Sequence, residues 1–230
     1  MSLVFERTLR IGTRSSPLAL KQVEEALGYL KRFYPQIRVE IIGIDTYGDK
    51  DKITPISESE GTDFFTREID EALLRGDIDF AVHSAKDLPD EVPKGLAIAA
   101  ITKSIDPYDA LVSKSNLKIG ELRKGAKIGA SSLRRKTQLK KYRDDFQIVD
   151  VRGTIEERLD KLDNHGLDAI IVAACALIRL ELEHRITQRI PFEILKPHSL
   201  QGSLAIEARA EDLDLIKFLS KIDSREILSV

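Results

Sequence analysis

One carboxylate in this sequence is placed where acid-base chemistry could occur. Asp87 lies in the motif His83-Ser84-Ala85-Lys86-Asp87-Leu88-Pro89, directly after an apolar stretch with the pattern of a β-strand. The carboxyl ends of strands in a parallel sheet present ligand groups, so we expect Asp87 to face a ligand. A carboxylate there can accept a hydrogen bond from a cationic or N–H-bearing substrate and transfer a proton. The alternative is a capping or turn aspartate ahead of Pro89.

Arginines form a second group of candidates, because six of them fall at predicted turns or helix starts. A guanidinium pairs with a carboxylate through two parallel hydrogen bonds, so such a set suits a ligand with several acidic arms. Gly153, which follows one of these arginines, would let the backbone approach a ligand closely. Taken singly, each arginine is better explained by a solvated salt bridge, and only their shared position at strand ends favours a ligand site. The six are Arg14, Arg134, Arg135, Arg152, Arg158 and Arg179.

A weak internal repeat places two of these arginine groups in the same local setting. The stretch Ile11-Gly12-Thr13-Arg14-Ser15-Ser16-Pro17-Leu18-Ala19-Leu20-Lys21-Gln22 resembles Ile128-Gly129-Ala130-Ser131-Ser132-Leu133-Arg134-Arg135-Lys136-Thr137-Gln138. Each copy predicts a strand, a small polar turn and a helix start, where a serine can cap the helix and the helix dipole favours an anion. Ordinary N-caps are the alternative. We predict one such site in each of two lobes, facing each other across a cleft.

The elements needed to position these residues alternate along the chain. Short β-branched runs alternate with amphipathic stretches, which predicts mainly parallel sheets with helices on both faces, an α/β fold. Predicted strands are Leu9–Thr13, Val39–Ile44, Phe80–His83, Leu96–Ile101, Lys127–Ala130, Gln147–Val151 and Ala169–Ala173; predicted helices are Pro17–Phe33, Phe64–Arg75, Arg134–Tyr142, Ile155–Leu162 and Leu213–Ile222.

The length of 230 residues fits one large domain or two smaller ones. Turn-rich segments at 104–108 and 196–199 are the predicted crossings between lobes. We therefore expect lobe 1 to contain residues 1–103 and 200–230, and lobe 2 to contain residues 104–199. The two lobes would close by a hinge.

Composition and motif searches disfavour several classes of function. The net charge of −2 gives no basic field for nucleic acid, and no apolar run is long enough to cross a membrane. Cys175 is the one cysteine and is predicted to be a buried small side chain, so neither a disulfide nor a cysteine metal cluster is expected. The four histidines show no metal-ligand spacing, and P-loop and dinucleotide motifs are missing from the sequence. We expect no metal and a cytoplasmic location, since the N-terminus lacks a signal-peptide core.

Four sequence motifs occur in order along the chain: Thr13 to Leu20 with Gln22, His83 to Pro89, Ser131 to Arg135 with Gln138-Leu139, and Asp168 to Ile171 running to Arg179-Leu180. Through these motifs the chain, from Leu9 onward, resembles the porphobilinogen deaminase (hydroxymethylbilane synthase) family of tetrapyrrole biosynthesis. The resemblance implies two lobes of the periplasmic-binding-protein type (type II) and a small third domain, whose cysteine carries a covalent dipyrromethane cofactor. Four porphobilinogens would be added to that cofactor head to tail, each losing ammonia.

The resemblance also assigns roles to residues of this sequence. Asp87 would contact pyrrole N–H groups, assist deamination and stabilise the azafulvenium cation. The positive and hydroxyl side chains would bind acetate and propionate arms. The candidate binding residues are Arg14, Ser16, Ser84, Lys86, Ser132, Arg134, Arg135, Arg152, Gly153, Arg158, Arg179, Gln201 and Gly202.

Several positions depart from the family pattern. We expect the third domain and its cofactor cysteine to be missing from this chain, with Cys175 not taking that role, and the apolar end after Lys221 favours a truncated chain. A lid that is rich in glycine and lysine in the family is acidic here, from Glu58 to Asp63. The other changes near the predicted cleft are Tyr47 for arginine, Ala130 for threonine, Thr154 for asparagine, Ala176 for glycine and Leu200 for glycine.

Three functions are compatible with these observations. The first is a transferase of the porphobilinogen deaminase type. The second is a non-catalytic two-domain paralogue that binds a carboxylated pyrrole or another small polyanion. The third is an anion-binding solute receptor, which ranks last because it needs export. In each case we expect a small-molecule partner and a monomer.

Overall fold

A computed structural model describes residues 7–51 and 62–225 of the chain. Within these residues the chain forms two compact units. Unit 1 contains residues 7–50, 62–104 and 203–225, and unit 2 contains residues 51 and 105–202. The sequence predicts residues 200–202 in lobe 1 and Ser104 in lobe 2, whereas residues 200–202 lie in unit 2 and Ser104 lies in unit 1. Gln201 belongs to unit 2 because its side chain donates a hydrogen bond to the Pro107 carbonyl there.

Strands and helices alternate over most of the described chain, as the sequence predicts. The strands are β1 (Leu9–Arg14), β2 (Val39–Ile44), β3 (Phe80–Ser84), β4 (Leu96–Ile101), β5 (Asp109–Ser113), β6 (Lys127–Gly129), β7 (Gln147–Val149), β8 (Ala169–Ala173), β9 (Gln188–Arg189) and β10 (Leu204–Arg209). The helices are α1 (Pro17–Lys31), α2 (Tyr47–Lys50), α3 (Arg67–Arg75), α4 (Leu133–Tyr142), α5 (Ile155–Asn164), α6 (Ala174–Arg179) and α7 (Leu213–Leu219).

Each unit is built on a mixed sheet with a single reversed strand among its described strands. In unit 1 the order is β2-β1-β3-β10-β4, and β10 runs antiparallel to both of its neighbours. In unit 2 the order is β7-β6-β8-β5-β9, and β5 is the reversed strand. The other strands of each sheet point the same way, which confirms the predicted α/β class with mainly parallel strands. β1 and β6 therefore occupy matching positions, next to two parallel partners.

Helices cover both faces of the unit 1 sheet because its strands are apolar on both sides. Phe80 and Val82 of β3 pack with α1 and α7 on one face. Ala81 packs with α3 on the other face, against Ile69 and Leu73. Burial of each large apolar side chain contributes about 1.5–3 kcal/mol. Since side chains alternate along a strand, His83 must face α3 and Ser84 must face α1.

Unit 2 has its own core, in which strands β5, β6 and β8 pack against α4 and the following loop. Leu111, Ile128 and Ile171 contribute from the strands, and Leu139 and Phe146 cover them. All five side chains are nearly inaccessible to solvent. Each unit thus has a separate hydrophobic core that holds its strand ends in place.

The glycines of the internal repeat are required by close packing. A Cβ on Gly12 would lie 2.2 Å from a side-chain carbon of Ile78, and one on Gly129 would lie 2.5 Å from a side-chain carbon of Val151. Both distances are too short for real contacts. Packing therefore explains the glycines in the two strands of the repeat. A functional role, if the repeat has one, belongs to the turns that follow these strands.

Candidate functional site

The turn between β1 and α1 in unit 1 holds two of the predicted binding residues. Arg14 ends β1, and Ser16 is the N-cap of α1, where its Oγ accepts a hydrogen bond from the Ala19 backbone N–H at 3.3 Å. Pro17 occupies the first turn of the helix, where a missing N–H costs nothing. The positive end of the α1 dipole lies at this turn, beside the positive charge of Arg14.

Arg14 is held in place by two side chains of its own unit. Its Nε lies 3.1 Å from each carboxylate oxygen of Asp49, its Nη2 also donates to Asp49, and the guanidinium lies 4.5 Å from the centre of the Phe65 ring. Burial alone would raise the pKa of Asp49, but the hydrogen bonds from Arg14 and Thr46 outweigh it and hold that pKa below its ordinary value. Arg14 is therefore pre-oriented, and part of its charge is already compensated.

Asp87 lies in a single 3₁₀ turn, Ala85–Asp87, that follows β3 directly. The turn is fixed at its start, because the Ala85 N–H donates to the Ser203 carbonyl at 3.0 Å and Gln22 donates to Ser84 Oγ at 2.7 Å. Asp87 and Lys86 are partly exposed. Within residues 7–51 and 62–225 the Asp87 carboxylate makes no hydrogen bond and no ion pair. It is therefore available to a ligand.

A small cavity in unit 1 joins these two sequence motifs. Its volume is about 60 Å³, well below the 300–1,000 Å³ that is typical of pockets for whole small molecules. Its size suits one acidic arm or a few ring atoms. The lining residues include Arg14, Ser16, Gln22, Phe65, Ser84 and Asp87.

The second copy of the repeat forms the same kind of turn in unit 2. Ser132 is the N-cap of α4, and its Oγ accepts a hydrogen bond from the Arg135 backbone N–H at 3.3 Å. The hydroxyl of the preceding Ser131 donates to the Val151 carbonyl. The N-cap serine thus has the same structural role in both units, and its hydroxyl is already engaged by the helix.

Arg134 and Arg135 share one buried carboxylate, that of Asp109 at the start of β5. Arg135 donates to Asp109 Oδ1 through Nε at 3.0 Å and Nη2 at 2.5 Å, and Arg134 Nη2 donates to Oδ2 at 2.8 Å. Burial would raise the pKa of Asp109, but the two guanidinium groups outweigh it and lower that pKa. The side chain of Arg135 is 7% exposed and that of Arg134 is 24% exposed. Of the two, Arg134 is the more accessible to a ligand.

Arg152, Gly153 and Arg158 lie together at the start of α5. The Arg158 Nε donates to the Gly153 carbonyl at 2.9 Å, and Arg152 Nη2 donates to the Asp51 carbonyl at 2.7 Å. Gly153 has a φ of 110°, and a Cβ there would lie 2.1 Å from Glu157 Oε2. Glu157 caps the helix together with Thr154. The glycine is thus needed by the helix cap, whether or not a ligand approaches it.

Arg179, Gln201 and Gly202 form a buried group in unit 2. Arg179 Nη2 donates to the Gly202 carbonyl at 2.8 Å. Gln201 Nε2 donates to Asp109 Oδ1 at 3.2 Å, which connects this group to the Arg134 and Arg135 pair. Arg179 and Gln201 are both buried. Both side chains therefore donate hydrogen bonds to partners inside unit 2.

Comparison with known proteins identifies the family. The family model described as porphobilinogen deaminase, dipyromethane cofactor binding domain, matches residues 9–217. The chain belongs to the porphobilinogen deaminase family. Porphobilinogen deaminases from Syntrophomonas wolfei and Geobacter metallireducens are each 44% identical to it, over 96% and 95% of this chain and 72% and 69% of their own lengths. The porphobilinogen deaminase of Natranaerobius thermophilus is 46% identical, over 95% of this chain and 70% of the relative.

Solved structures confirm the two-lobed fold of this porphobilinogen deaminase family member. The methionine binding protein MetQ superposes with a TM-score of 0.54 at 15% identity, covering 96% of this chain and 92% of that protein. Immunogenic lipoprotein A from Vibrio vulnificus superposes with a TM-score of 0.55 at 15% identity, covering 96% of each chain. At such identities the likeness concerns the fold alone. It agrees with the periplasmic-binding-protein-like architecture expected from the sequence.

The donors available in this porphobilinogen deaminase family member fit the family's dipyrromethane. Each unit by itself offers partly exposed cations, Arg14 and Lys86 in unit 1 and Arg134 in unit 2, and acidic side arms need such partners. Cys175 lies in α6 and is 4% exposed, so a group attached to its Sγ would displace packed side chains. The donor set therefore fits the group, whereas the position of Cys175 does not suit an attachment point.

The acidic lid expected to distinguish this porphobilinogen deaminase family member lies partly outside the described residues, which exclude 58–61. The described part begins at Thr62. Asp63 pairs with Arg67 of α3, with Nε to Oδ2 at 2.7 Å, and the ring of Phe64 meets those of Tyr47 and Phe65 edge to face. A hydrogen bond from Arg67 lowers the pKa of Asp63. The charge of Asp63 is therefore compensated locally, which weakens its repulsion of a carboxylate.

Sequence reasoning missed the carboxylates that hold the arginines of this porphobilinogen deaminase family member. Asp49 lies 35 residues from Arg14, and Asp109 lies 25 and 26 residues from its two partners. Such pairs have no local signal, because the fold brings them together. Asp109 begins β5, a strand that was not predicted.

None of the described helices is long and apolar enough to span a membrane.

Proposed function

We propose that this protein is a hydroxymethylbilane synthase, which joins porphobilinogen units head to tail and releases one ammonia for each unit. Its family carries out tetrapyrrole biosynthesis as transferases. The Asp87 carboxylate is the observation that supports the proposal at the level of residues. It has no hydrogen-bond or ion-pair partner within the described residues, and it lines a cavity with Arg14 and Ser16. A free carboxylate beside anion-binding groups suits a substrate that has both N–H donors and acidic arms.

In this proposal Asp87 acts on the pyrrole ring. The aminomethyl ammonium group leaves as ammonia with the electrons of its C–N bond, so the positive charge stays on the ring as an azafulvenium cation. Asp87 accepts a hydrogen bond from the ring N–H and stabilises that charge. When the α-carbon of an acceptor pyrrole attacks, a C–C bond forms and the proton on that carbon is released. A carboxylate at this position can accept the proton.

The acidic arms are assigned to cations and hydroxyls at the strand ends. In unit 1 these are Arg14, Lys86 and the hydroxyls of Ser16 and Ser84. In unit 2 we assign direct contact to Arg134, whose side chain keeps 24% of its surface exposed. The other unit 2 candidates shape the turns that present it. These are Ser132, Arg135, Arg152, Gly153, Arg158, Arg179, Gln201 and Gly202.

The family's dipyrromethane would be held by the same cations, because it carries the same kind of acidic arms. It would supply the pyrrole to which the first substrate is joined. We propose that Cys175 is not its attachment residue, since the thiol is buried in α6. A cytoplasmic location and a monomeric state stay predictions from the sequence.

The proposal is tested by incubating the purified protein with porphobilinogen. We expect ammonia to be released and uroporphyrinogen-type products to accumulate. The experiment includes calorimetric titration with porphobilinogen, since saturable binding without ammonia would instead identify a non-catalytic binding protein. If the protein neither forms products nor binds porphobilinogen, the assignment of a pyrrole ligand is contradicted as well.

A further inference from the structure

Three ionisable side chains meet inside unit 1, on the face of the sheet that α3 covers. Asp70 comes from α3, His83 from β3 and Glu207 from β10, and they are 5%, 5% and 1% exposed. One carboxylate oxygen of Asp70, one imidazole nitrogen of His83 and one carboxylate oxygen of Glu207 all lie within 4.8 Å of one another. His83 Nε2 is 3.2 Å from Glu207 Oε2. Sequence analysis gave no indication of this group, since its members are far apart along the chain.

The charge of this group must be compensated from within. Two carboxylates beside a neutral imidazole would leave two buried negative charges, and isolated buried charges cost several kcal/mol each. Asp70 Oδ1, His83 Nε2 and Glu207 Oε2 are buried atoms without a hydrogen-bond partner in the described part of the chain. A proton retained by the carboxyl groups would lower this cost.

The charged side chains on the surrounding elements do not supply that compensation. α3 packs against β1, β3, β4 and β10. In β1, Arg10 pairs with Asp79 and Arg14 pairs with Asp49; β4 contains no ionisable residue; and in β10, Arg209 donates to the Leu73 and Ile78 carbonyls. On α3 itself, Glu68 Oε1 accepts from the Tyr47 N–H. A retained proton is therefore the compensation that remains once these charged side chains are accounted for.

The acidity of Asp70 is consistent with a retained proton. Burial and the negative charge of Glu207 raise the pKa of Asp70 to about 7, against the lowering effects of Thr66 and His83. An ordinary aspartate has a pKa of about 3.9. At pH values between these two, Asp70 is mostly protonated in the folded protein and ionised in the unfolded chain.

This group is connected to the candidate active site through β3. His83 and Ser84 are consecutive and have polar neighbours on opposite faces, since Glu207 Oε2 lies 3.2 Å from His83 Nε2 and Gln22 donates to Ser84. His83 also lines the cavity that contains Asp87. The 3₁₀ turn carrying Asp87 starts directly from this strand end.

We propose that Asp70, His83 and Glu207 form a buried network that shares a proton, and that it positions the end of β3 and thereby Asp87. Asp70 is a positioning residue in this network, because its carboxylate lies near His83 and Glu207 and does not line the cavity that contains Asp87. The inference rests on the proposed function, since Asp87 is the group being positioned. It predicts that activity depends on the proton held at Asp70.

The decisive variants are Asp70→Asn and Asp70→Ala, with Glu71→Gln as a matched control. Asparagine has the shape of a protonated aspartate and can donate a hydrogen bond, whereas alanine cannot. Glu71 is the next residue of α3, and its side chain is 58% exposed. We expect kcat of the parent protein to fall as pH rises through about 7, because the network then loses its proton. Asp70→Asn should stay within about twofold of the parent kcat at pH 6 and lack this fall, and Asp70→Ala should lose at least tenfold.

The proton itself is detected without activity. Infrared spectra at pH 6 should show the carbonyl stretch of a protonated carboxylic acid in the parent and in Glu71→Gln, and this band should be missing in Asp70→Asn. If the parent releases no ammonia, the proposed function fails, and the infrared band still decides whether Asp70 holds a proton. Any one of three results overturns the network proposal. These are the absence of the band in the parent protein, a pH profile of Asp70→Asn that equals that of the parent, and a stoichiometric metal ion that the parent binds and Asp70→Asn does not.

Discussion

At the scale of residues, the arginines that share a sequence motif differ in what they hold. Arg135 is almost completely buried and makes two hydrogen bonds to Asp109, whereas Arg134 makes one to that carboxylate and keeps part of its surface exposed. Arg14 is similarly committed to Asp49. A ligand carboxylate must therefore compete with a carboxylate of the protein. The protein carboxylates pre-orient the cations, which lowers the cost of ordering them on binding.

We expect Arg135→Ala and Arg134→Ala to separate stability from binding. Removing Arg135 takes one charged partner from a buried carboxylate, so the free energy of unfolding should fall by about 3–5 kcal/mol. Removing Arg134 should weaken porphobilinogen binding by about 1.5–3 kcal/mol through loss of a charge-assisted hydrogen bond, with a smaller effect on stability. Urea unfolding and calorimetric titration measure the two quantities.

The control for both variants is Lys141→Ala, which removes a positive charge from an exposed position of the same helix. It should change neither quantity by more than about 0.5 kcal/mol. If the dissociation constant of Arg134→Ala equals that of the parent, Arg134 has a structural role alone.

At the scale of elements, the strand-to-helix turns could be predicted from the sequence because their signals are local. Serine, proline and glycine set the turn at Ser16, and the strand ahead of it has an apolar pattern. The strands Val39–Ile44, Leu96–Ile101 and Ala169–Ala173 have the predicted bounds. β5 and β10 were missed, because their antiparallel pairing depends on partners distant in sequence. For the same reason the roles of Asp49, Asp109 and Asp70 required the structure.

The helix caps give a prediction that tests how the repeat works. We expect Ser132→Ala to lower the free energy of unfolding by about 1 kcal/mol, since it removes the acceptor for the Arg135 N–H, and Ser132→Gly to cost a few tenths of a kcal/mol. Chemical denaturation of both variants provides the measurement. Equal costs for the two substitutions would show that the hydroxyl does not cap α4.

At the scale of the whole molecule, one sheet plan occurs twice in the described chain. Each sheet has its reversed strand in the fourth position, and each has a capped turn after its second strand. The fold class and the family followed from the sequence, and the comparisons confirm both. Asp87 distinguishes unit 1, because the matching strand end in unit 2 continues into α6 with Ala174 and Cys175. The central claim is therefore that Asp87 carries the deamination chemistry.

The most direct test measures ammonia release from porphobilinogen by Asp87→Asn and by its matched control Asp90→Asn. Both changes remove one carboxylate charge, and Asp90 lies three residues further on at an exposed position. We predict that Asp87→Asn loses at least a hundredfold in rate, within the 10²–10⁴ range typical of such groups, while Asp90→Asn keeps the parent rate. Porphobilinogen binding should persist in both. Unchanged ammonia release by Asp87→Asn would contradict the account.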